Sequence, residues 1–154
     1  NNVIDYLSYP VRIYPVGRLD KDSEGLLLMT NDGAIVNGIM RARNRHEKEY
    51  QVEVNKEITP EFLKKMASGV PILDTVTRPC RIQKTGERSF TIILTQGLNR
   101  QIRRMCEALG YRVTKLKRVR IMNINLKDLK TGEYRPLTEK ELAELKKHIG
   151  EEKR

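Results

Sequence analysis

Alternation of apolar and polar side chains is clearest in the stretch 49–54. Tyr50, Val52 and Val54 fall on one face of this stretch, as in a strand that is buried on one side. A Thr-Gly-Glu turn at 85–87 separates two further apolar runs and predicts a hairpin. Strands are therefore predicted over 26–30, 49–54, 75–84, 89–95 and 112–124, and a turn at 31–33 ends the first of them.

Four other stretches have the spacing and the end signals of helices. Ile35, Ile39 and Met40 recur at helical spacing. Threonine is a good N-cap and proline suits the first helical position, which indicates a helix start at Thr59-Pro60. The predicted helices cover 34–42, a stretch from 59 to about Gly69, 99–109 with Asn99 as the N-cap and Gly110 as the terminator, and 139–149 after a capping box of Thr138 and Glu141.

The order of these elements defines the fold class. Strands and helices do not alternate regularly, and a hairpin is present, which excludes a regular parallel α/β fold. Residues 1–16 predict a loop or an edge segment, and no internal repeat is visible. We expect an α+β fold with a mixed, largely antiparallel central sheet and flanking helices, in one domain of 154 residues.

Charge indicates the kind of partner. The formal net charge is +10 and the sequence pI is about 9.8, which favours a polyanion such as nucleic acid. Much of this charge is clustered, which is typical of a surface that attracts phosphates. A smaller cluster consists of Arg41, Arg43, Arg45 and Lys48, and the larger one, which contains only Glu107 as an acid, consists of Arg100, Arg103, Arg104, Arg112, Lys115, Lys117, Arg118 and Arg120.

Cysteine and histidine are too rare to suggest a metal site. The two cysteines, Cys80 and Cys106, and the two histidines cannot form a disulfide framework or a zinc cluster. This usage predicts a reducing compartment, which we take to be the cytoplasm, and no metal. No apolar run is long enough to predict a membrane span.

The segment 17–25 is unusual for so basic a chain. It contains Asp20, Asp22 and Glu24 and lies between apolar runs, so it is expected to form a loop between strands. Carboxylates repel a bound polyanion, so an acid in this place suggests chemistry on that polyanion. Two other interpretations are a solvated acidic turn and a calcium loop. The calcium pattern fails at its twelfth position, where Asn31 stands in place of glutamate.

A second element combines a glycine turn with the start of the helix predicted after it. Arg100 and Arg104 would share one helix face, with Arg103 to one side. Such arginines can hold phosphates at a helix N-terminus, or one of them can pair with a buried carboxylate. An exposed basic helix face is the simpler alternative.

A third element is Lys48-Glu49-Tyr50 at the start of a predicted strand. Tyr50 offers a flat ring for stacking and a hydroxyl for proton transfer. Packing of the ring in the core is the alternative for a single tyrosine.

Together these segments resemble the RNA pseudouridine synthases. The closer similarity is to the RsuA/RluB/RluE/RluF branch, which modifies ribosomal RNA. The resemblance spans about residues 14–145, and its motifs are ordered and specific. They are Gly-Arg-Leu-Asp at 17–20 with Asp22, Gly25 and Leu26, then Lys-Glu-Tyr at 48–50, Gln-Gly-Leu-Asn-Arg-Gln-Ile-Arg-Arg-Met-Cys at 96–106, and Arg-Val-Arg-Ile-Met at 118–122.

The resemblance implies a pseudouridine synthase fold with a catalytic cleft and a role for each matching residue. Asp20 corresponds to the essential aspartate, and Arg103 to the basic residue that pairs with it. Tyr50 corresponds to the tyrosine that stacks on the target base and acts as a proton acceptor. Arg18 corresponds to an arginine that enters the RNA when the uridine flips out, and Ile102 lies at the pocket wall. Residues expected to bind RNA, besides Arg18, are Lys48, Asn99, Arg100, Arg104, Arg118 and Arg120.

The implied function is isomerisation of a specific uridine in ribosomal RNA, of the large subunit, without any cofactor or metal. Transfer RNA is a further possible substrate, and we expect a monomer. Members of this branch also carry a small N-terminal RNA-binding domain and a Lys-Pro-x-Gly segment, neither of which occurs in 1–154. The chain is therefore interpreted as a catalytic domain. The alternative is a non-catalytic ribosomal RNA-binding module or assembly factor.

Overall fold

A computed structural model describes residues 14–16, 19, 22–42 and 45–151. Within these residues, no helix is both long enough and apolar enough to cross a membrane. The strands are β1 (Tyr14–Val16), β2 (Glu24–Gly25), β3 (Leu28–Thr30), β4 (Lys48–Val54), β5 (Pro71–Ile72), β6 (Thr75–Val76), β7 (Arg81–Gly86), β8 (Ser89–Leu94), β9 (Val113–Ile121) and β10 (Ile124–Asn125). The helices are α1 (Gly33–Ala42), α2 (Pro60–Ser68), α3 (Gln101–Ala108) and α4 (Glu139–Glu151).

The central sheet has the order β10-β9-β4-β8-β7, and all of these neighbours are antiparallel. The short strand β2 adds to β9 in the parallel direction. Two antiparallel pairs, β1 with β3 and β5 with β6, lie outside this sheet. The predicted α+β class with a mixed, largely antiparallel sheet is confirmed.

Two apolar clusters hold the helices to the sheet. In β8, Phe90, Ile92 and Leu94 alternate with partly exposed residues and are buried. They join residues of β4, β9, α2 and α3 in the larger cluster, in which Met66 and Met105 are fully buried. The smaller cluster joins α1 and α4 to β3, β10 and the end of β9. Burial of this apolar surface is the main stabilising contribution to the fold.

Several element boundaries differ from the predictions. The hairpin of β7 and β8 is present, but Gly86 belongs to β7 and the turn lies at 87–88. The strand predicted over 75–84 is divided into β6 and β7. The extended segment predicted over 112–124 ends at Ile121, because Met122 has a left-handed φ of 52° and turns the chain into β10. The edge segment predicted at 1–16 is described only as β1.

Both capping predictions that concern α2 and α4 are confirmed. Thr59 Oγ1 accepts a hydrogen bond from the Phe62 amide at 3.1 Å and caps α2. At α4, the Glu141 amide donates to Thr138 Oγ1 at 3.1 Å, and the Thr138 amide donates to Glu141 Oε1 at 2.9 Å. Reciprocal bonds of this kind fix the first turn of a helix.

Glu141 also links α4 to the sheet through Arg135. Arg135 donates to both carboxylate oxygens of Glu141, at 2.8 and 2.9 Å, and to the carbonyl oxygen of Asn125 at 3.0 Å. The hydrogen bonds from Arg135 and from the Thr138 amide lower the pKa of the Glu141 carboxyl from its usual 4.5 to about 2. The ionised carboxylate is therefore the form that stabilises the fold.

This lowered pKa predicts a specific pH dependence of stability. The contribution of Glu141 is complete above about pH 4.5 and is lost as the pH falls towards 2, because protonation weakens its bonds to Arg135. Glu141→Gln should lower the free energy of unfolding by about 1 kcal/mol at pH 7 and by less at pH 3. Urea denaturation at the two pH values measures this difference.

The matched control is Glu144→Gln, an exposed position on the same helix. It should leave the pH dependence of the wild-type protein in place. If Glu141→Gln loses as much stability at pH 3 as at pH 7, the ionised carboxylate is not what Arg135 stabilises.

Candidate active site

The acidic loop is described at Leu19 and again from Asp22 onwards. Arg18 and Asp20, which the sequence singles out, lie outside the described residues, as does Arg43. Residues 22–26 of the loop contact one strand and one helix.

The C-terminal end of the loop lies on β9. In the parallel pairing of β2 with β9, Glu24 faces Lys117 and Gly25 faces Arg118. The Leu26 amide continues the pairing by donating to the Arg118 carbonyl oxygen at 2.8 Å. Gly25 has a φ of +117°, and a Cβ at this position would overlap the backbone nitrogen and oxygen of Arg118. Only glycine fits between the loop and β9.

The side chain of Arg118 contacts the same loop a second time. Its Nε and Nη2 atoms donate to the Leu26 carbonyl oxygen at 2.9 and 2.7 Å. The residue is 8% exposed. We predicted an RNA contact for Arg118, but the structure directs these two donors at the protein backbone.

Arg103 binds the loop at a second point. It lies in α3, and its Nη2 atom donates to the Asp22 carbonyl oxygen at 2.6 Å. Its Nε atom is buried and has no hydrogen-bond partner among the described residues. The guanidinium therefore lies beside the backbone two residues after Asp20.

The start of α3 differs from the prediction. Asn99 is not the N-cap, because the helix begins at Gln101 and Arg100 occupies the N-cap with a left-handed φ of 48°. The oxygens of Asn99 accept hydrogen bonds from Arg104 instead, the carbonyl from Nε at 3.0 Å and Oδ1 from Nη2 at 2.8 Å. These two predicted RNA-binding residues thus bind each other.

Gln101, the first residue of α3, binds the segment that precedes the helix. Its Oε1 accepts from the Leu98 amide at 3.2 Å, and its Nε2 donates to Gln96 Oε1 at 3.3 Å. Gln96 Oε1 also accepts from the Arg78 amide at 2.8 Å. Gln101 is buried, so the two glutamines form an internal link that fixes where α3 starts.

Tyr50 lies in β4, one strand beyond β9. Its register partners are Arg118 in β9 and Ile92 in β8. Because Arg118 also faces Gly25, the loop and Tyr50 are two strand spacings apart, about 10 Å. Tyr50 packs against the larger apolar cluster, and Ile102 of α3 is a buried member of the same cluster. Tyr50 is thus a cross-strand neighbour of the residue that faces the loop, and it shares one apolar cluster with Ile102.

A β-bulge lies directly before Tyr50. The pairing of β4 with β9 shifts between Glu49, which faces Arg120, and Tyr50, which faces Arg118. Bulges often re-aim side chains beside functional sites. Lys48 precedes the bulge and faces Ile121 of β9.

Acidic residues bind Arg120, another predicted RNA contact. Its guanidinium donates to Glu49 Oε1 and Glu47 Oε1, both at 3.0 Å, and to the Met122 carbonyl oxygen at 2.7 Å. Partial burial raises the pKa of Glu47, but hydrogen bonds and charge attraction from Arg120 and Arg81 outweigh it and lower that pKa. Arg120, which is 19% exposed in its side chain, thus has carboxylate partners in the protein.

Other side chains offer little further chemistry. Burial raises the pKa of the Cys106 thiol to about 12 and that of Cys80 to about 11, which makes both poor nucleophiles. In the part of the chain that the structure describes, no three His, Cys, Asp or Glu residues group as metal ligands.

Comparison with known proteins identifies the family to which the chain belongs. The family model for RNA pseudouridylate synthase matches residues 3–108. A solved structure of a pseudouridylate synthase superposes with a TM-score of 0.86 at 30% identity, covering 93% of this chain and 64% of the other. The chain belongs to the RNA pseudouridine synthase family.

Among individual relatives, the chain is 56% identical over 149 residues to the dual-specificity RNA pseudouridine synthase RluF of Salmonella typhi and 54% identical to that of Escherichia coli strain K12. These alignments cover 97% of this chain but 52% and 51% of the relatives, so the chain spans about half their length. It is 38% identical to ribosomal large subunit pseudouridine synthase B of Bacillus subtilis, over 92% of this chain and 60% of that protein. The predicted resemblance to the RsuA/RluB/RluE/RluF branch is confirmed.

The contact between Gly25 and β9 can be tested by one added methyl group. Gly25→Ala should lower the free energy of unfolding by at least about 1 kcal/mol, because alanine is strained at positive φ and its Cβ overlaps the Arg118 backbone. Thermal and urea denaturation measure the loss.

Gly33→Ala is the matched control. Gly33 begins α1, and a Cβ there would meet no atom within 4 Å. This variant should be as stable as the wild type or up to about 1 kcal/mol more stable. Equal effects of the two substitutions would show that the loop does not lie against β9.

Proposed function

We propose that this chain is the catalytic domain of an RNA pseudouridine synthase that converts a specific uridine of ribosomal RNA to pseudouridine, with Asp20 as the catalytic group. One contact carries the proposal. Arg103 Nη2 binds the Asp22 carbonyl oxygen while its Nε is buried and lacks a partner among the described residues. A guanidinium in this position is suited to pair with a carboxylate in the loop.

Chain connectivity supports the pairing of Asp20 with Arg103. Residues 20 and 22 are joined by two peptide units, so their Cα atoms are at most about 7.6 Å apart. The Asp22 carbonyl is itself in contact with Arg103. A carboxylate that is shielded from water tends to lose its charge, and an adjacent guanidinium offsets this because arginine stays protonated. Asp20 is thereby kept as the reactive anion.

The reaction needs no oxidant, reductant or cofactor. The bond from uracil N1 to ribose C1′ breaks, the base rotates, and a bond forms from uracil C5 to C1′. The hydrogen on C5 is lost to solvent and N1 gains one, so that product and substrate are isomers. Three roles of the carboxylate fit this sequence: attack on C1′, addition to uracil C6, and assistance to elimination with deprotonation at C2′.

The target base must leave its stack before it can react. Flipping costs a few kcal/mol, and stacking on an aromatic ring returns about 1–3 kcal/mol. Tyr50 is proposed to supply that ring, and Ile102 to wall the same pocket. Arg18 is proposed to occupy the space that the base vacates.

RNA attraction is proposed to come from basic residues that the fold leaves exposed. Arg112, Lys84 and Arg88 are exposed and add to the net charge of +10. Lys48 and Arg100 remain proposed RNA contacts near the site, and Asn99 with Arg104 forms a paired unit beside them. We propose large-subunit ribosomal RNA as the substrate, with transfer RNA as a second class to assay, and action in the cytoplasm as a monomer.

Asp20→Asn tests the catalytic assignment. Asparagine keeps the shape of the side chain but cannot act as an anionic nucleophile or base, so release of tritium from RNA labelled at uridine C5 should fall at least about 1000-fold. RNA affinity, measured by filter binding, should stay within about threefold. The assay should include a longer form of the protein, since the chain spans about half of its relatives.

Asp32→Asn makes the same chemical change at a position away from the site. Asp32 Oδ1 accepts from the Ala34 amide at 2.9 Å, and asparagine can replace it there. This control should release tritium at the wild-type rate. Substantial turnover by Asp20→Asn would refute the assignment of Asp20. Absence of any base change in wild-type reactions, with tight RNA binding, would favour the non-catalytic RNA-binding module.

Two substitutions of Tyr50 separate stacking from proton transfer. Tyr50→Phe keeps the ring, so RNA affinity should be retained while kcat falls about 100-fold through loss of the hydroxyl. Tyr50→Ala should also weaken binding of a substrate analogue that carries 5-fluorouridine, by about 5- to 150-fold. Wild-type kcat in Tyr50→Phe would mean that the hydroxyl is not the proton acceptor.

A further inference from the structure

We propose that Arg118 is a positioning residue that holds the Asp20 loop in its catalytic place and does not contact RNA. This inference rests on the proposed function, since it concerns the same site. It differs from what we expected from the sequence, where Arg118 belonged to a basic strand and was predicted to bind RNA.

Arg118 is the residue at which the loop meets the sheet. Its backbone faces Gly25 of β2 on one side and Tyr50 of β4 on the other. Its carbonyl oxygen accepts from the Leu26 amide at 2.8 Å, and its side chain donates twice to the Leu26 carbonyl oxygen. Backbone and side chain of one residue thus bind both polar groups of Leu26.

The chemistry of this contact suits arginine in particular. Two N–H groups of a planar guanidinium point at one carbonyl oxygen, which fixes the direction as well as the distance of the loop. A lysine at this position would carry the same charge but would present it as a single flexible point. The side chain is 8% exposed, so little of it is available to a phosphate.

Two guanidinium groups therefore hold one short segment at both ends. Arg103 binds the Asp22 carbonyl and Arg118 binds the Leu26 carbonyl, from α3 and from β9 respectively. Asp20 lies two residues before the first of these points. Loss of the contact between Arg118 and Leu26 would let the segment shift. A displacement of about 1 Å at a reacting group can lower the rate about 100-fold.

Arg118→Lys and Arg118→Gln test the proposal in the tritium-release assay. We expect kcat to fall about 10- to 100-fold in both, with the smaller loss for lysine, while KM for RNA stays within about twofold. The slope of log affinity against log salt concentration should not change. Phe62 is a residue of α2 whose side chain is buried in the larger apolar cluster. Phe62→Leu therefore controls for general destabilisation and should keep the wild-type kcat per folded molecule.

An RNA contact would give the opposite pattern. Removing one phosphate contact lowers the magnitude of the salt slope by about 0.7–0.9 and raises KM, with kcat unchanged. That result would overturn the proposal, and so would wild-type kcat in both variants.

Amide hydrogen exchange tests the clamp separately from the reaction. The Leu26 amide should exchange at least about 10-fold faster in Arg118→Gln, relative to the Val52 amide in β4, and this ratio should be unchanged in Phe62→Leu. An unchanged ratio in Arg118→Gln overturns the inference whether or not the protein forms pseudouridine. Faster exchange of the Leu26 amide in Arg118→Gln, together with a wild-type protein that never releases tritium, would leave the clamp standing and refute the proposed function.

Discussion

The rest of the site depends on two contacts, in which two guanidinium groups each bind a backbone carbonyl of one loop. Arg103 reaches the Asp22 carbonyl from α3, and Arg118 reaches the Leu26 carbonyl from β9. The loop between them has little freedom, because Gly25 lies directly on the β9 backbone. The path of the chain over residues 22–26 thus follows from packing of the sheet and of one helix.

Several basic residues near the acidic loop have hydrogen-bond partners within the protein. Arg118 donates hydrogen bonds to a backbone carbonyl, Arg120 binds Glu47 and Glu49, and Arg104 binds Asn99. Such internal partners fix the geometry of these side chains. Long-range attraction of RNA can then come from exposed basic residues elsewhere, which tolerate substitution more easily.

The elements themselves were largely predictable from local patterns. The caps at Thr59 and Thr138 and the alternation through Tyr50, Val52 and Val54 depend on neighbours in the sequence, and the structure has them as predicted. The family motifs led to the class of protein, because ordered motifs over most of the chain do not arise by chance.

The roles of single basic residues could not be predicted in the same way. Asn99 has the side chain of an N-cap, but Arg104 binds it and Arg100 occupies the N-cap position. Arg118 and Arg120 look alike in a basic strand, yet one binds a carbonyl and the other two carboxylates. Those partners are 71 to 92 residues away in the chain, so only the tertiary structure decides them. Glu47 carried no sequence signal at all.

The distance between the Asp20 carboxylate and the Arg103 guanidinium tests the proposed pairing of these two residues. A crystal structure of the protein with RNA that contains 5-fluorouridine would measure it. An oxygen of Asp20 should lie about 2.7–3.2 Å from a nitrogen of Arg103, with the ring of Tyr50 stacked on the base. A carboxylate more than about 6 Å from that guanidinium, or directed into solvent, would contradict the proposed pairing.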